Sequence, residues 1–123
     1  MNPIPKDDNI ACMCVAAFQF LCDDYGFGSP QFSEAGCERN LYFTKGNRTI
    51  GINWEWGAFP LVELFCPTVD IEHRRIPHIR PSVGRGKHAL NVHYPHDVAH
   101  FLEQYAEALR AKEEPFLLGH GNA

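Results

Sequence analysis

Between Leu41 and Cys66 three short apolar runs are separated by two turn signals, Lys45-Gly46-Asn47 and Gly57-Ala58-Phe59-Pro60. This pattern is the signature of an antiparallel meander, and it limits the fold more than any other stretch. The middle run has the clearest period. Ile50, Ile52, Trp54 and Trp56 fall on one side; Thr49, Gly51, Asn53 and Glu55 fall on the other. Such alternation argues a sheet with one buried and one wet face. Strands are expected at about 39–44, 48–55 and 61–66, ended by Pro67, which cannot donate to a ladder. Phe32 to Gly36 reads equally as a turn or an edge strand. A further strand is expected over Ala89 to Tyr94, where Leu90, Val92 and Tyr94 alternate with Asn91 and His93.

Helices flank the sheet. Asp7, Asp8 or Asn9 can cap a first helix running to about Asp24, because each has a side-chain oxygen for free backbone N–H groups. Ile10, Met13, Cys14, Ala17, Phe18 and Leu21 keep helical spacing, and Ala11, Cys12, Val15 and Phe20 make the remaining faces apolar. This helix is therefore expected to be almost wholly buried, or else to form a homodimer contact. Gly26 suits the left-handed position that ends it. Pro95 and Asp97 open a last helix ending near Lys112, with Val98, Phe101, Leu102, Tyr105, Ala106 and Leu109 as its core stripe. Phe116-Leu117-Leu118 should tuck back as one apolar turn. The expected architecture is α+β: a four- or five-stranded antiparallel meander with an N-terminal and a C-terminal helix packed on one face. At 123 residues it is expected to be a single domain, 1–123.

Composition narrows the function classes. The longest apolar run, Ile10 to Phe18, is too short to span a bilayer, and Asp7 and Asp8 before it are the wrong charge for a signal peptide. A cytoplasmic protein without membrane contact is expected. The five cysteines are then expected to be reduced and mostly buried. Net charge is −4, yet five of the eleven basic residues and no acid lie between His73 and His88. A mostly acidic body thus carries one basic loop, expected over 72–87. The body repels nucleic acid and attracts a basic partner.

The candidate chemistry is sparse. His96 and His100 are four apart, as two metal ligands on one helical face would be, but that face also carries Glu103 and Glu107 and reads as solvated. Cys12-x-Cys14 lacks the two-residue gap of a zinc or redox motif. Neither a metal nor a cofactor is expected. Gly84-x-Gly86 lacks the third glycine and the strand-to-helix setting of a dinucleotide site. The loop 73–88 lacks the interleaved aromatics that stack bases, so nucleic acid is disfavoured, although a small nucleic-acid- or ligand-binding module using this loop is the alternative function. Glu55 and Glu63, across a hairpin on the wet face, read as solvation or a binding patch rather than as an acid–base pair. No catalytic residue is assigned, and the chain is expected not to be an enzyme.

The order of elements carries a resemblance. Phe18-Gln-Phe-Leu-Cys-Asp-Asp-Tyr-Gly-Phe27 is a helix ending on an aromatic–Gly–Phe turn. It is followed by Leu41-Tyr-Phe-Thr, Thr49-Ile-Gly-Ile-Asn-Trp and Leu61-Val-Glu-Leu-Phe, then by a late strand and an amphipathic helix. Over about residues 10–110 this layout is similar to small bacterial immunity proteins that neutralise polymorphic or contact-dependent growth-inhibition toxins. The resemblance implies a non-enzymatic inhibitor that binds a cognate toxin domain, often a nuclease, in the cytosol. The expected toxin-binding surface is the wet sheet face and its border: Tyr42, Asn53, Glu55, Leu61, Glu63 and Phe65, extended by Asp70, Glu72, Arg74 and Arg75. Its aromatics and Leu61 would be anchors and its carboxylates a rim.

Overall fold

The computed structural model describes residues 4, 8–66, 72–75 and 80–118. Helix α1 spans Asn9–Phe18 and α2 spans Phe20–Tyr25. Five strands follow: β1 (Gln31–Ala35), β2 (Glu38–Lys45), β3 (Arg48–Trp54), β4 (Leu61–Cys66) and β5 (Glu72–Arg75). A single 3-10 turn at Gly86–His88 precedes α3 (Pro95–Lys112) and the short α4 (Glu114–Leu117). The strands form one antiparallel sheet in the order β1-β2-β3-β4-β5. The α+β meander with helices on one face is therefore the fold.

Each helix end has a local cause. Asp8 is the N-cap of α1, its Oδ1 accepting from the Ala11 N–H at 2.9 Å. The expected single first helix is instead divided at Gln19. This residue keeps a right-handed helical backbone, but its carbonyl accepts from the N–H of Cys22 as well as that of Asp23, a local tightening of the turn. Gly26, at φ +76°, ends α2 in the left-handed region, and the Phe27 N–H returns to the Leu21 carbonyl at 3.0 Å. Helix α3 starts at Pro95 and ends at Lys112, as its stripe and flanks require.

The core lies between the helices and one sheet face. Ile50, Ile52, Trp54, Val62 and Leu64 are buried there with Leu41 and Phe43, beneath Phe18 and Leu21 on one side and Phe101, Leu102, Tyr105 and Leu109 on the other. β5 pairs only with Glu63 to Cys66, so the Val62 N–H lies beyond that ladder. The Tyr105 hydroxyl accepts it at 3.4 Å. Of the expected apolar turn, Phe116 and Leu117 tuck back, while Leu118 is exposed. Phe116 and Leu117 are buried, Lys45 Nζ donates to the Leu117 carbonyl at 3.0 Å, and the Arg48 guanidinium lies 5.0 Å from the Phe116 ring centre.

Three expectations need correction. Residues 89–94 are not a strand, although Leu90 and Val92 do pack against the core. Asn91 instead organises a turn: its N–H donates to Asp97 Oδ2 at 2.8 Å and its Oδ1 accepts from the His93 N–H at 2.9 Å. The sheet is completed by 72–75, which reads as loop because Glu-His-Arg-Arg has no apolar alternation. The first helix is less enclosed than expected: Ala11, Cys14 and Phe18 are buried, while Cys12 and Ala16 are exposed.

Candidate functional site

Strand alternation gathers Tyr42, Asn53, Leu61, Glu63 and Phe65 on the face away from the helices, as expected. The register sets Tyr42 opposite Gly51, Gly51 opposite Glu63, and Glu63 opposite Arg75. A second row runs Asn40, Asn53, Leu61, and a third Thr44, Thr49, Phe65, His73. Gly51 leaves a gap that two aromatic rings close. A Cβ placed there would meet Phe65 Cε2 at 3.1 Å and Tyr42 Cε1 at 3.3 Å. Tyr42 and Phe65 thus both lie against Gly51 of the middle strand and are half-buried.

This face is not the wet surface that alternation alone implies. Glu63 is only 5% exposed, and among the described residues no buried side-chain nitrogen or oxygen lacks a hydrogen-bond partner. Glu63 therefore belongs to the sheet's internal packing and is not a rim carboxylate. Glu55 does not face it, because β3 ends at Trp54 and Glu55 stands exposed in the following turn. Glu72, Arg74 and Arg75 lie on the edge strand. Register puts Arg75 in the row of Glu63, whereas Glu72 and Arg74 share the phase of Cys66 and Leu64. Asp70 lies outside the described residues.

A second surface, at the end of the sheet, exposes large aromatic side chains. Trp56 follows the last residue of β3 by two positions and is 90% exposed. Its ring centre is 5.7 Å from that of His93, and the adjoining Tyr94 is 60% exposed. Phe59, from the same turn, stacks on Phe101 at 4.5 Å and fixes the turn against α3. Beside Trp56 a cleft of about 320 Å³ is lined by Asp8, Glu34, Cys37, Arg39 and Glu55 among others. The Asp8 carboxylate is committed within it, capping α1 through Oδ1 and pairing with the Arg39 guanidinium through Oδ2. Glu34 and Glu55 are exposed and form no ion pair among the described residues.

Trp56 is the residue that alternation misplaces. Extending the β3 period by two positions puts it with Ile50, Ile52 and Trp54, but the strand stops and the chain turns, the Ala58 N–H returning to the Glu55 carbonyl at 3.2 Å. Gly57, next in sequence, was the available signal.

The other candidate chemistries are not assembled. Among the described residues no group of three or more His, Cys, Asp or Glu is placed to hold a metal ion. His100 Nε2 is 3.0 Å from Gln104 Nε2 on the exposed side of α3. Of the basic loop, Arg80 lies 5.8 Å from the Phe101 ring centre, and Arg85, Lys87 and His88 are exposed around the 3-10 turn. Cys12 and Cys37 are exposed, against the expectation that most thiols are buried; Cys14 is buried and Cys22 half-buried. Burial pushes the Cys14 thiol far above its ordinary range, the Asp8 charge adding to the effect, so this thiol is inert in the fold. Among the described residues no helix is long and apolar enough to cross a membrane.

In comparisons with known proteins, the chain matches no family model, no curated protein and no solved structure.

Proposed function

We propose that this chain is a non-enzymatic inhibitor of the immunity-protein type, which binds a cognate bacterial toxin domain in the cytosol and blocks it. The observation that carries partner binding is the exposure of Trp56 beside His93 and Tyr94. A tryptophan 90% exposed contributes little to the core, and tryptophan is among the residue types most enriched as interface anchors. Exposed Glu34 and Glu55 border it and give the surface an acidic rim. A nuclease toxin suits this charge, since its substrate cleft is basic. The toxin as occupant follows from the resemblance over residues 10–110.

On this reading Tyr42, Asn53, Leu61 and Phe65 extend the contact onto the sheet face, and the Trp56 end is its centre. The alternative, nucleic-acid binding through residues 73–88, has less support, because Arg80 is occupied on Phe101 and the exposed remainder carries no aromatic. The test is co-purification with the toxin domain encoded beside this chain, with toxin activity as a second readout. Trp56→Ala should weaken capture by about 2 kcal/mol or more, roughly thirtyfold, without unfolding the protein. A toxin that stays fully active in the presence of excess protein sinks the proposal.

A further inference from the structure

We propose that the cleft beside Trp56 receives an arginine side chain presented by a loop of the partner protein. The inference rests on the reading that this end of the sheet is a docking surface, and it names what docks there. Three features of the cleft select the occupant.

The first is the exposed indole of Trp56. A flat, water-exposed indole face attracts a cation through the ring quadrupole, and a planar guanidinium also stacks on it, which an ammonium cannot do. The second is charge. Glu34 and Glu55 line the cleft, are exposed, and form no ion pair among the described residues, although Arg39 stands opposite Glu34 in the register. The only guanidinium among the cleft's lining residues, that of Arg39, is held by Asp8. An incoming guanidinium can therefore donate to carboxylates that form no ion pair among the described residues. The third is size. About 320 Å³ lies at the bottom of the range of small-molecule sites and suits one long side chain better than a cofactor.

A second copy of this chain fits the cleft poorly. A two-fold contact would set the same patch against itself, bringing Glu34 and Glu55 of both copies together on chains of net charge −4. A basic partner meets complementary charge instead.

The experiment uses the full chain and a blocked tripeptide, acetyl-Gly-Arg-Gly-amide, with citrulline in place of arginine as the neutral isostere. The two indole N–H signals are followed by NMR. Trp54 is buried but also lines the cleft, so the backbone N–H of Leu109, in the core and outside the cleft, serves as the internal reference. The expected result is a saturable shift of the Trp56 indole with the arginine peptide, absent with citrulline. It should weaken about fivefold, roughly 1 kcal/mol, in Glu55→Gln, and further in the Glu34→Gln, Glu55→Gln double variant. Equal responses to arginine and citrulline, or no shift at tens of millimolar, overturn the assignment. So does a response unchanged in the double variant. Because the peptide test needs no toxin, its failure is separable from failure of toxin capture. Peptide binding by a protein that captures no toxin leaves the cleft assigned and removes only the toxin.

Discussion

The Tyr25 hydroxyl donates to Glu114 Oε2 at 2.9 Å, joining the last residue of α2 to the first residue of α4 across 89 positions of sequence. Arg110 strengthens the same corner. Its guanidinium stacks 4.4 Å from the Phe20 ring centre and pairs with Asp24 at 2.5 Å. Burial, and then the Glu114 carboxylate, raise the Tyr25 phenol above its ordinary value; burial does the same at Tyr105. A raised folded value means that the folded state holds the proton more tightly than the unfolded chain. The stability this confers is complete below about pH 10, the unfolded value, and is lost as pH rises through the folded values. Urea unfolding should therefore give a flat stability profile on the neutral side and a fall above about pH 10. Tyr25→Phe should reduce that alkaline fall and cost about 1 kcal/mol at neutral pH. An alkaline limb of unchanged steepness in the Tyr25→Phe, Tyr105→Phe double variant would rule this linkage out.

Gly51 should resist enlargement because two rings already occupy its side of the sheet. A Cβ at this position sits 3.1 Å from Phe65 and 3.3 Å from Tyr42, so a branched side chain must push both rings aside. Gly51→Val should destabilise by about 1–3 kcal/mol, as overpacking does, despite the better strand propensity of valine. Gly51→Ala should cost less. Denaturant midpoints decide the matter: a valine variant as stable as the parent means that the rings give way freely.

Asp8 has two jobs with different worth. The cap on α1 is a buried charge-assisted hydrogen bond, whereas its partner Arg39 is nearly half exposed, with 44% of its side chain accessible. An ion pair open to water contributes at most about 1 kcal/mol. Asp8→Ala removes both and should cost about 1–2 kcal/mol. Asp8→Asn keeps an oxygen for the Ala11 N–H and should lose distinctly less. If Asn is as damaging as Ala, the ion pair rather than the cap holds this end of the helix.

Thiol reactivity should sort by burial. Labelling at pH 8 followed by peptide mapping should modify the exposed Cys12 and Cys37 first and leave Cys14 unmodified until the protein unfolds. Cys22 should be slow, because burial and the neighbouring Asp23 raise its thiol above the ordinary value. Rapid labelling of Cys14 in the folded state would contradict the placement of α1 against α3.

What the sequence made legible has a physical pattern. β2, β3, β4 and α3 are visible because each has a strong period and its own punctuation, Gly46-Asn47 between two strands and Pro95 before the helix. β1 and β5 are not: β1 buries only Phe32, and the sequence Glu72–Arg75 carries no apolar residue. Leu90 and Val92 failed in the opposite sense. Their alternation is that of a strand, but they pair with none of the described strands, and a turn held by Asn91 and Asp97 lets both reach the core. At the site, alternation assigned the correct face to Tyr42, Asn53, Leu61 and Phe65 but could not report depth. Whether a polar position on a wet face is actually wet depends on its cross-strand neighbours, and here Tyr42 and Phe65 close over the sheet beside it.

Glu55 and Glu63 show the consequence most directly, since the same residue type in an exposed turn and inside a strand should respond differently to charge reversal. Glu55 is exposed in a turn beyond the ladder, and Glu55→Lys should leave stability within about 0.5 kcal/mol of the parent. Glu63 is 5% exposed in the middle of the sheet, between Gly51 and Arg75 in the register. Glu63→Lys puts a longer cationic side chain at a buried carboxyl position and should cost about 3–5 kcal/mol, enough to unfold a domain of ordinary stability. Any loss of partner binding in that variant would then report unfolding, whereas loss in Glu55→Lys reports the surface. Urea midpoints of the two single variants separate the cases. Equal stability of both would mean that Glu63 lies in water and that the sheet face is the open surface alternation alone implies.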